Sequence, residues 1–241
     1  MNLILPIGAV ASAANIYGET RPHWYSNYRD APESPKSDIV KALALRIFQY
    51  QIRNDGPYAK RIQGMIDHAG TLDNFIATHL KVVSLPDKKL IHSKGTDTCH
   101  YINIASGKED QIGEALPWLS AREIFHILEQ DDFYSDVYVS IAAFAPSLFA
   151  SFKLRWSPLP SLVVFVASAL STTLATEYLS KRRADAFANT YCSSAEKNQA
   201  IASLETYKNT LPLDCWNKPE IDDLKARIDS IHASFIPLDN Q

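Results

Sequence analysis

The chain has 241 residues, of which 46% are hydrophobic, and its 24 basic and 27 acidic residues give a formal charge of −3. This length suits one large domain, or one domain with a small appendage, and the apolar content excludes an intrinsically disordered chain. Without an excess of basic residues the protein is not expected to bind nucleic acid, because that binding depends on neutralising phosphates. The three scattered cysteines exclude a disulfide framework and a paired-cysteine zinc site.

The N-terminal segment 1–16 is uncharged, and Ala11-Ser12-Ala13 within it has the small residues of a signal-peptide cleavage site. A secretory signal begins with a positively charged stretch, whereas the first basic residue of this chain is Arg21. The sequence therefore favours a membrane-associated or cytoplasmic protein over a secreted one.

Helical spacing dominates the first third of the chain. Apolar residues recur at helical intervals over 38–53, which predicts an amphipathic helix. Two shorter helices are predicted over 58–68 and 71–80, separated at Gly70. We treat 1–80 as an N-terminal helical region, because the pattern changes after it.

Two short segments that follow this region are rich in β-branched and aromatic residues, which is typical of strands. Segments 81–85 and 99–104 are predicted to pair with each other. The residues Lys94-Gly95-Thr96-Asp97 are predicted to lie in the turn between them. The sequence thus predicts a small strand pair before the next helix.

Two uncharged apolar runs occur in the second half of the chain, over 137–152 and 157–176. The second has the roughly 20 residues needed to span a bilayer, and the first is short for that purpose. Both runs predict helices, which either contact a membrane or form the core of a soluble domain. The second helix is predicted to continue through the charged segment 177–190, and two further helices are predicted over 195–209 and 218–232.

The helix predicted over 118–130 carries an Arg-Glu-x-x-His motif, with Ser120 and Glu123 at the spacing of an N-terminal capping box. Zinc peptidases of the zincin type need His-Glu-x-x-His on a helix, where two histidines hold the metal and the glutamate activates water. Here Arg122 occupies the first ligand position, and a guanidinium cannot ligate a cation. Alone, the motif predicts a helix in which Glu123 and His126 make ordinary polar contacts.

The order of this helix, the two apolar runs and the Ala184-Asp185 pair resembles the HtpX-like and CAAX-prenyl-protease-like membrane metallopeptidases, over roughly residues 80–190. The resemblance implies a zincin-like α+β fold, mostly helical, with a small strand pair before the motif helix. It places the third zinc ligand of the family at Lys181, and the aspartate that orients a ligand histidine at Asp185. It also makes 81–241 a metallopeptidase-like domain that includes both apolar helices.

The substituted ligand positions, Arg122 and Lys181, put fixed positive charge where the family holds a dication. Glu177, Lys181 and Asp185 lie four residues apart and share one helix face, where they can form a ladder of ion pairs. Arg122 can reach across to Asp185 or Glu177, and a buried carboxylate needs such a partner. Together the substitutions predict a silenced metal site rebuilt as an ion-pair network.

The leading hypothesis is therefore a degenerate HtpX-like metallopeptidase, a pseudopeptidase that needs no cofactor. It would act by binding a protein or peptide, for example by strand addition to an edge strand. Membrane contact is expected through 137–176, and no nucleic-acid partner is expected.

The alternative is an active zinc metalloendopeptidase with an altered ligand set. In it Glu123 is the general base and Asp185 orients His126. The zinc ligands would be drawn from residues with a suitable nitrogen or oxygen: His126, Glu177, and His92 or His100. A third interpretation is a structural helical membrane protein with a coincidental motif, in which Glu123 and His126 face away from Asp185.

Overall fold

The computed structural model describes residues 25–87, 89–95, 99–129 and 158–235. The chain divides into two compact units, one formed by Met1–Asn27 with Gln130–Lys181 and the other by Tyr28–Glu129 with Arg182–Gln241. The described residues are mostly helical and include a three-stranded sheet, which confirms the predicted α+β, mostly helical class. The segments 1–16 and 137–152, for which predictions were made, lie outside the described residues.

The helices are, in chain order, α1 (Tyr25–Arg29), α2 (Ser37–Arg53), α3 (Ala59–Ala69), α4 (Leu72–Asn74), α5 (Glu109–Ile112), α6 (Leu116–Glu129), α7 (Pro158–Tyr191), α8 (Ser194–Thr210) and α9 (Lys218–Ala233). A π-helical turn, Phe75–His79, follows α4, and a 3-10 turn, Gly113–Ala115, leads into α6. The predicted break at Gly70 is present, because this residue ends α3 with a φ of 84°, which glycine adopts without strain.

The sheet has the strand order β1-β3-β2, with β1 at Leu80–Leu85, β2 at Ile91–Gly95 and β3 at His100–Ala105. The two predicted strands are present as β1 and β3, which run parallel to each other. The prediction missed β2, which pairs antiparallel with β3, and wrongly assigned Lys94 and Gly95 to a turn. Ile91 is the one β-branched residue of β2, so pairing with β3 makes this segment a strand against its local composition.

The core of the second unit lies between the sheet and the helices α2, α6, α8 and α9. The central strand β3 is buried along its whole length. Trp118 of α6 is fully buried, and its indole N–H donates to Asn189 Oδ1 at 2.8 Å. The Asn189 amide in turn donates to the Ser230 carbonyl of α9 at 3.1 Å. These contacts fix α6, the helix that carries the motif, within the core.

Helix α6 begins two residues earlier than predicted, at Leu116. Pro117 fits this first turn, because the N–H groups there have no helical partner. Ser120 therefore lies inside the helix, and the capping box predicted there is wrong. A capping box with the same spacing is formed by Ser193 and Glu196 at the start of α8.

From Pro158, helix α7 runs without interruption through the apolar run 157–176 and the charged segment 177–190, which was predicted to continue it. Its segment Val163–Tyr191 is long and apolar enough to cross a membrane, with a mean hydropathy of 1.3 in its most apolar part. One face of this segment carries apolar side chains that are about half to two-thirds exposed: Val163, Val166, Leu170 and Leu174. The predicted apolar helix is thus present, with an exposed apolar face.

Candidate functional site

Arg122, Glu123 and Asp185 form a buried cluster of charged groups in the second unit. Arg122 and Glu123 are neighbours on α6, and Asp185 lies near the C-terminal end of α7. The three residues are 5%, 3% and 6% exposed, respectively. Because α6 is buried on nearly all sides, its polar side chains must find partners within the protein.

The Arg122 guanidinium joins the two carboxylates. Its Nε donates to Asp185 Oδ1 at 2.9 Å, and its Nη1 donates to Glu123 Oε1 at 3.1 Å. The contact between Arg122 and Asp185 is one of the two that the sequence predicted for this arginine. A permanent cation therefore lies between the carboxylates, at the position of the first zinc ligand in the motif.

The second oxygen of Glu123 faces strand β2, which is an edge strand of the described sheet. Glu123 Oε2 accepts hydrogen bonds from the backbone N–H of Ser93 at 2.8 Å and from its hydroxyl at 3.0 Å. Residues of an antiparallel strand alternate between those that pair with the neighbouring strand and those that point outward. The Ser93 N–H points away from β3, and Glu123 accepts the hydrogen bond that the carbonyl of a further strand would otherwise accept. Sequence analysis did not identify Ser93, which is 30 residues from its partner.

A second arginine, the half-buried Arg227 of α9, extends the cluster. Its Nη2 lies 2.6 Å from Asp223 Oδ2, one helical turn earlier. Arg227 is also attracted by the charges of Glu123 and Asp185. Its Nε is buried and makes no hydrogen bond within the described residues. Sequence analysis missed this residue, although an acidic residue four positions before an arginine is a recognisable helical pair.

The charges of the cluster keep Arg122 and Glu123 ionised. Burial alone would lower the pKa of Arg122, but Glu123 and Asp185 outweigh it and hold this pKa above its ordinary value. Burial alone would raise the pKa of Glu123, but chiefly His126 and Arg122 outweigh it and hold this pKa below its ordinary value. At Asp185, by contrast, burial outweighs the attraction of Arg122 and raises the pKa above its ordinary value. The cluster therefore compensates the burial of Arg122 and Glu123 fully and that of Asp185 only in part.

The free energy of unfolding is expected to fall as the pH is lowered through the folded-state pKa of Glu123. A carboxylate whose pKa is lowered by folding stabilises the protein above its unfolded-state pKa, and protonation removes that contribution. We expect the free energy of unfolding, measured by urea denaturation at several pH values between about 7 and 3, to fall less steeply in Glu123→Gln than in the wild type. Glu205→Gln, which removes an exposed carboxylate of α8, should keep the wild-type decline. An equally steep decline in Glu123→Gln would contradict this assignment.

Two other predicted site residues, Glu177 and Lys181, pair with each other on α7, with Lys181 Nζ 2.9 Å from Glu177 Oε1. Their side chains are 57% and 40% exposed, respectively, so this is a surface ion pair. Both residues belong to the first compact unit, whereas Glu123, His126 and Asp185 belong to the second. His126 is half-buried near the end of α6.

The two histidines considered as further metal ligands, His92 and His100, have partners of their own. His92 Nε2 lies 2.6 Å from the hydroxyl of Tyr28, and His92 Nδ1 lies 3.4 Å from Asp87 Oδ2. His100 is buried against Phe75, and burial lowers the pKa of its ring to about 4. Among the residues that the structure describes, no three His, Cys, Asp or Glu side chains are grouped as a metal site requires.

The cluster is suited to holding three elements together. Both oxygens of Glu123 already accept hydrogen bonds, one from α6 and one from β2. Arg122 offers no lone pair to a metal ion, and its charge repels a dication. The donor set at the motif therefore does not fit a zinc ion held in the manner of the family.

Comparisons of the chain with protein-family models, with curated proteins and with solved structures find no match. The resemblance to the HtpX-like metallopeptidases thus rests on the residues of the motif and on their order in the chain. Its consequences for function are proposals.

Proposed function

We propose that the protein is a pseudopeptidase, a degenerate relative of the HtpX-like metallopeptidases that binds a protein or peptide without metal. The observation that carries this proposal is the position of Arg122, which bridges Glu123 and Asp185 at 3.1 and 2.9 Å. In the family these three positions hold a zinc ligand, the catalytic glutamate and an aspartate that orients a ligand. A fixed cation at the first position favours a scaffold that folds without metal over a zinc enzyme that activates water.

A zincin-like core is part of this proposal. It is supported by the packing of α6 against β2 and by the direction of the Glu123 side chain toward that edge strand. An edge strand can bind an extended peptide by strand addition, through its outward-facing backbone groups. The Ser93 N–H of this edge is held by Glu123, so a peptide that adds to β2 has to displace Glu123 from it.

A location at a membrane, through α7, is the second part of the proposal. The uncharged stretch from Pro158 to Thr176 forms a helix about 28 Å long, which is close to a hydrocarbon core of about 30 Å. Residues 157–176 carry no charge, Glu177 follows them directly, and the basic residues 181–183 begin five positions after the run ends. This order suits a helix that ends among anionic lipid headgroups.

Purified wild-type protein is expected to contain almost no zinc. The cationic side chains of Arg122 and Lys181 replace two of the family's three ligands, and their charges oppose a dication. Elemental mass spectrometry after dialysis without chelator measures the content, and circular dichroism of the same sample checks that the protein is folded.

About one zinc per chain would overturn the metal-free proposal and favour the active enzyme. In that enzyme Glu123 acts as the general base, and His126 and Glu177 serve as ligands. Glu123→Ala in a peptidase assay would then be the next experiment.

A further inference from the structure

The loop between α8 and α9 holds two large apolar side chains in solvent. Leu213 is 93% exposed and Trp216 is 88% exposed. The next most exposed large apolar side chain in the described part of the chain, Leu174, is 67% exposed. We call residues 213–216 the apolar tip. Exposure of this degree is unfavourable for a tryptophan unless another surface covers it.

The apolar tip has a fixed conformation. Asp214 Oδ1 accepts hydrogen bonds from the backbone N–H groups of Trp216 at 2.9 Å and Asn217 at 2.8 Å. The Asn217 side-chain amide donates to Asp214 Oδ2 at 3.2 Å and to the Pro212 carbonyl at 3.3 Å. The one carboxylate of the tip, Asp214, is exposed, but both of its oxygens accept hydrogen bonds within the loop. Since the loop is already ordered, binding through it loses little conformational entropy.

We infer that the apolar tip is a lipid contact, in which Leu213 and Trp216 enter the boundary between headgroups and acyl chains. Tryptophan favours this boundary because its ring is apolar while its N–H can remain hydrogen-bonded. Lys218 is exposed directly after the loop, but the acidic Glu220, Asp222 and Asp223 follow it, so the contact is expected to rest on apolar insertion and not on charge. The inference rests on the membrane location proposed for α7 and does not depend on the state of the Arg122 cluster.

The size of the tip favours lipid over a protein partner. One aromatic side chain buries about 150–250 Å², so two side chains fall well short of the roughly 800 Å² that each partner contributes to a stable protein interface. A second lipid contact needs no such area, because it adds to the membrane anchor proposed for α7, a helix long and apolar enough to cross a bilayer. The tip thus suits an auxiliary membrane contact.

Cys215, which is exposed within the tip, allows a direct test. In a Cys99→Ser background it is labelled with nitrobenzoxadiazole, and the whole chain is reconstituted into vesicles of roughly three parts phosphatidylcholine to one part phosphatidylserine. We expect nitroxide lipids labelled near the headgroup to quench the probe. We also expect aqueous iodide to quench it several-fold less in the vesicles than in the same labelled protein without vesicles. Leu213→Ala with Trp216→Ala should restore the iodide quenching. Ile39→Ala, which removes an exposed apolar side chain elsewhere, should not.

Sedimentation of the same vesicles separates the two claims. The protein could pellet with the vesicles after a high-salt wash while iodide still quenches its probe fully. That result would overturn the lipid contact of the tip and leave the membrane location of α7 standing. Protein that does not pellet would overturn both. Neither outcome bears on the zinc content, which tests the pseudopeptidase proposal by itself.

Discussion

Replacing Arg122 by alanine is expected to lower the free energy of unfolding by about 3–5 kcal/mol. The substitution removes the cation that bridges Glu123 and Asp185, and the charge of Arg227 then compensates the two buried carboxylates only in part. Leaving one buried charge without its partner lowers the free energy of unfolding strongly. Replacing the whole ion pair by apolar residues of the same size often changes it little. Urea denaturation followed by circular dichroism at neutral pH measures the change.

Lys181→Ala is the matched control, because it breaks an ion pair whose two side chains are exposed. That loss should be about 0.5 kcal/mol or less. A triple variant, Arg122→Met with Glu123→Gln and Asp185→Asn, removes all three charges together and should be more stable than Arg122→Ala. If Arg122→Ala is as mild as Lys181→Ala, the cluster does not support the fold.

The helices of this protein could be predicted from the sequence because their signals are local. The apolar spacing over 38–53 anticipated α2, and the glycine at position 70 anticipated the end of α3. Strand β2 could not be predicted in this way, since Ile-His-Ser-Lys-Gly has little strand preference and is a strand because β3 lies beside it. Ser120 and Glu123 had the right spacing for a cap, but Pro117 fits an earlier helix start.

Part of the candidate site could also be predicted from local features of the sequence, and part could not. The contact between Arg122 and Asp185 followed from the chemistry of the two positions, because a cation and a carboxylate both needed a partner. Ser93 carried no such signal, and the helical pair with Asp223 marked Arg227 only as an ion-pairing residue. Each reaches Glu123 or its neighbours only through the tertiary fold. Local pattern identifies the charged groups, and packing decides which of them meet.

The double substitution Arg122→His with Lys181→Glu is expected to create a zinc site if the scaffold is a silenced metallopeptidase. It removes two positive charges and supplies the imidazole and the carboxylate that the family uses at these positions. His126 already provides the second histidine of the motif. Isothermal titration with zinc should show binding at least about tenfold tighter than in the wild type.

The double variant should also regain with zinc a large part of the stability that it loses with Arg122. A ligand that binds only the folded state stabilises it by about 2.7 kcal/mol when its free concentration is 100 times the Kd. Arg122→Gln with Lys181→Gln is the control, because it removes the same charges without adding an imidazole or a carboxylate. Zinc binding by the first variant and not by the control would separate restored coordination from mere relief of repulsion. If neither binds zinc, the resemblance itself fails, and Arg122 is an ion-pairing residue of a helical protein that has no peptidase scaffold.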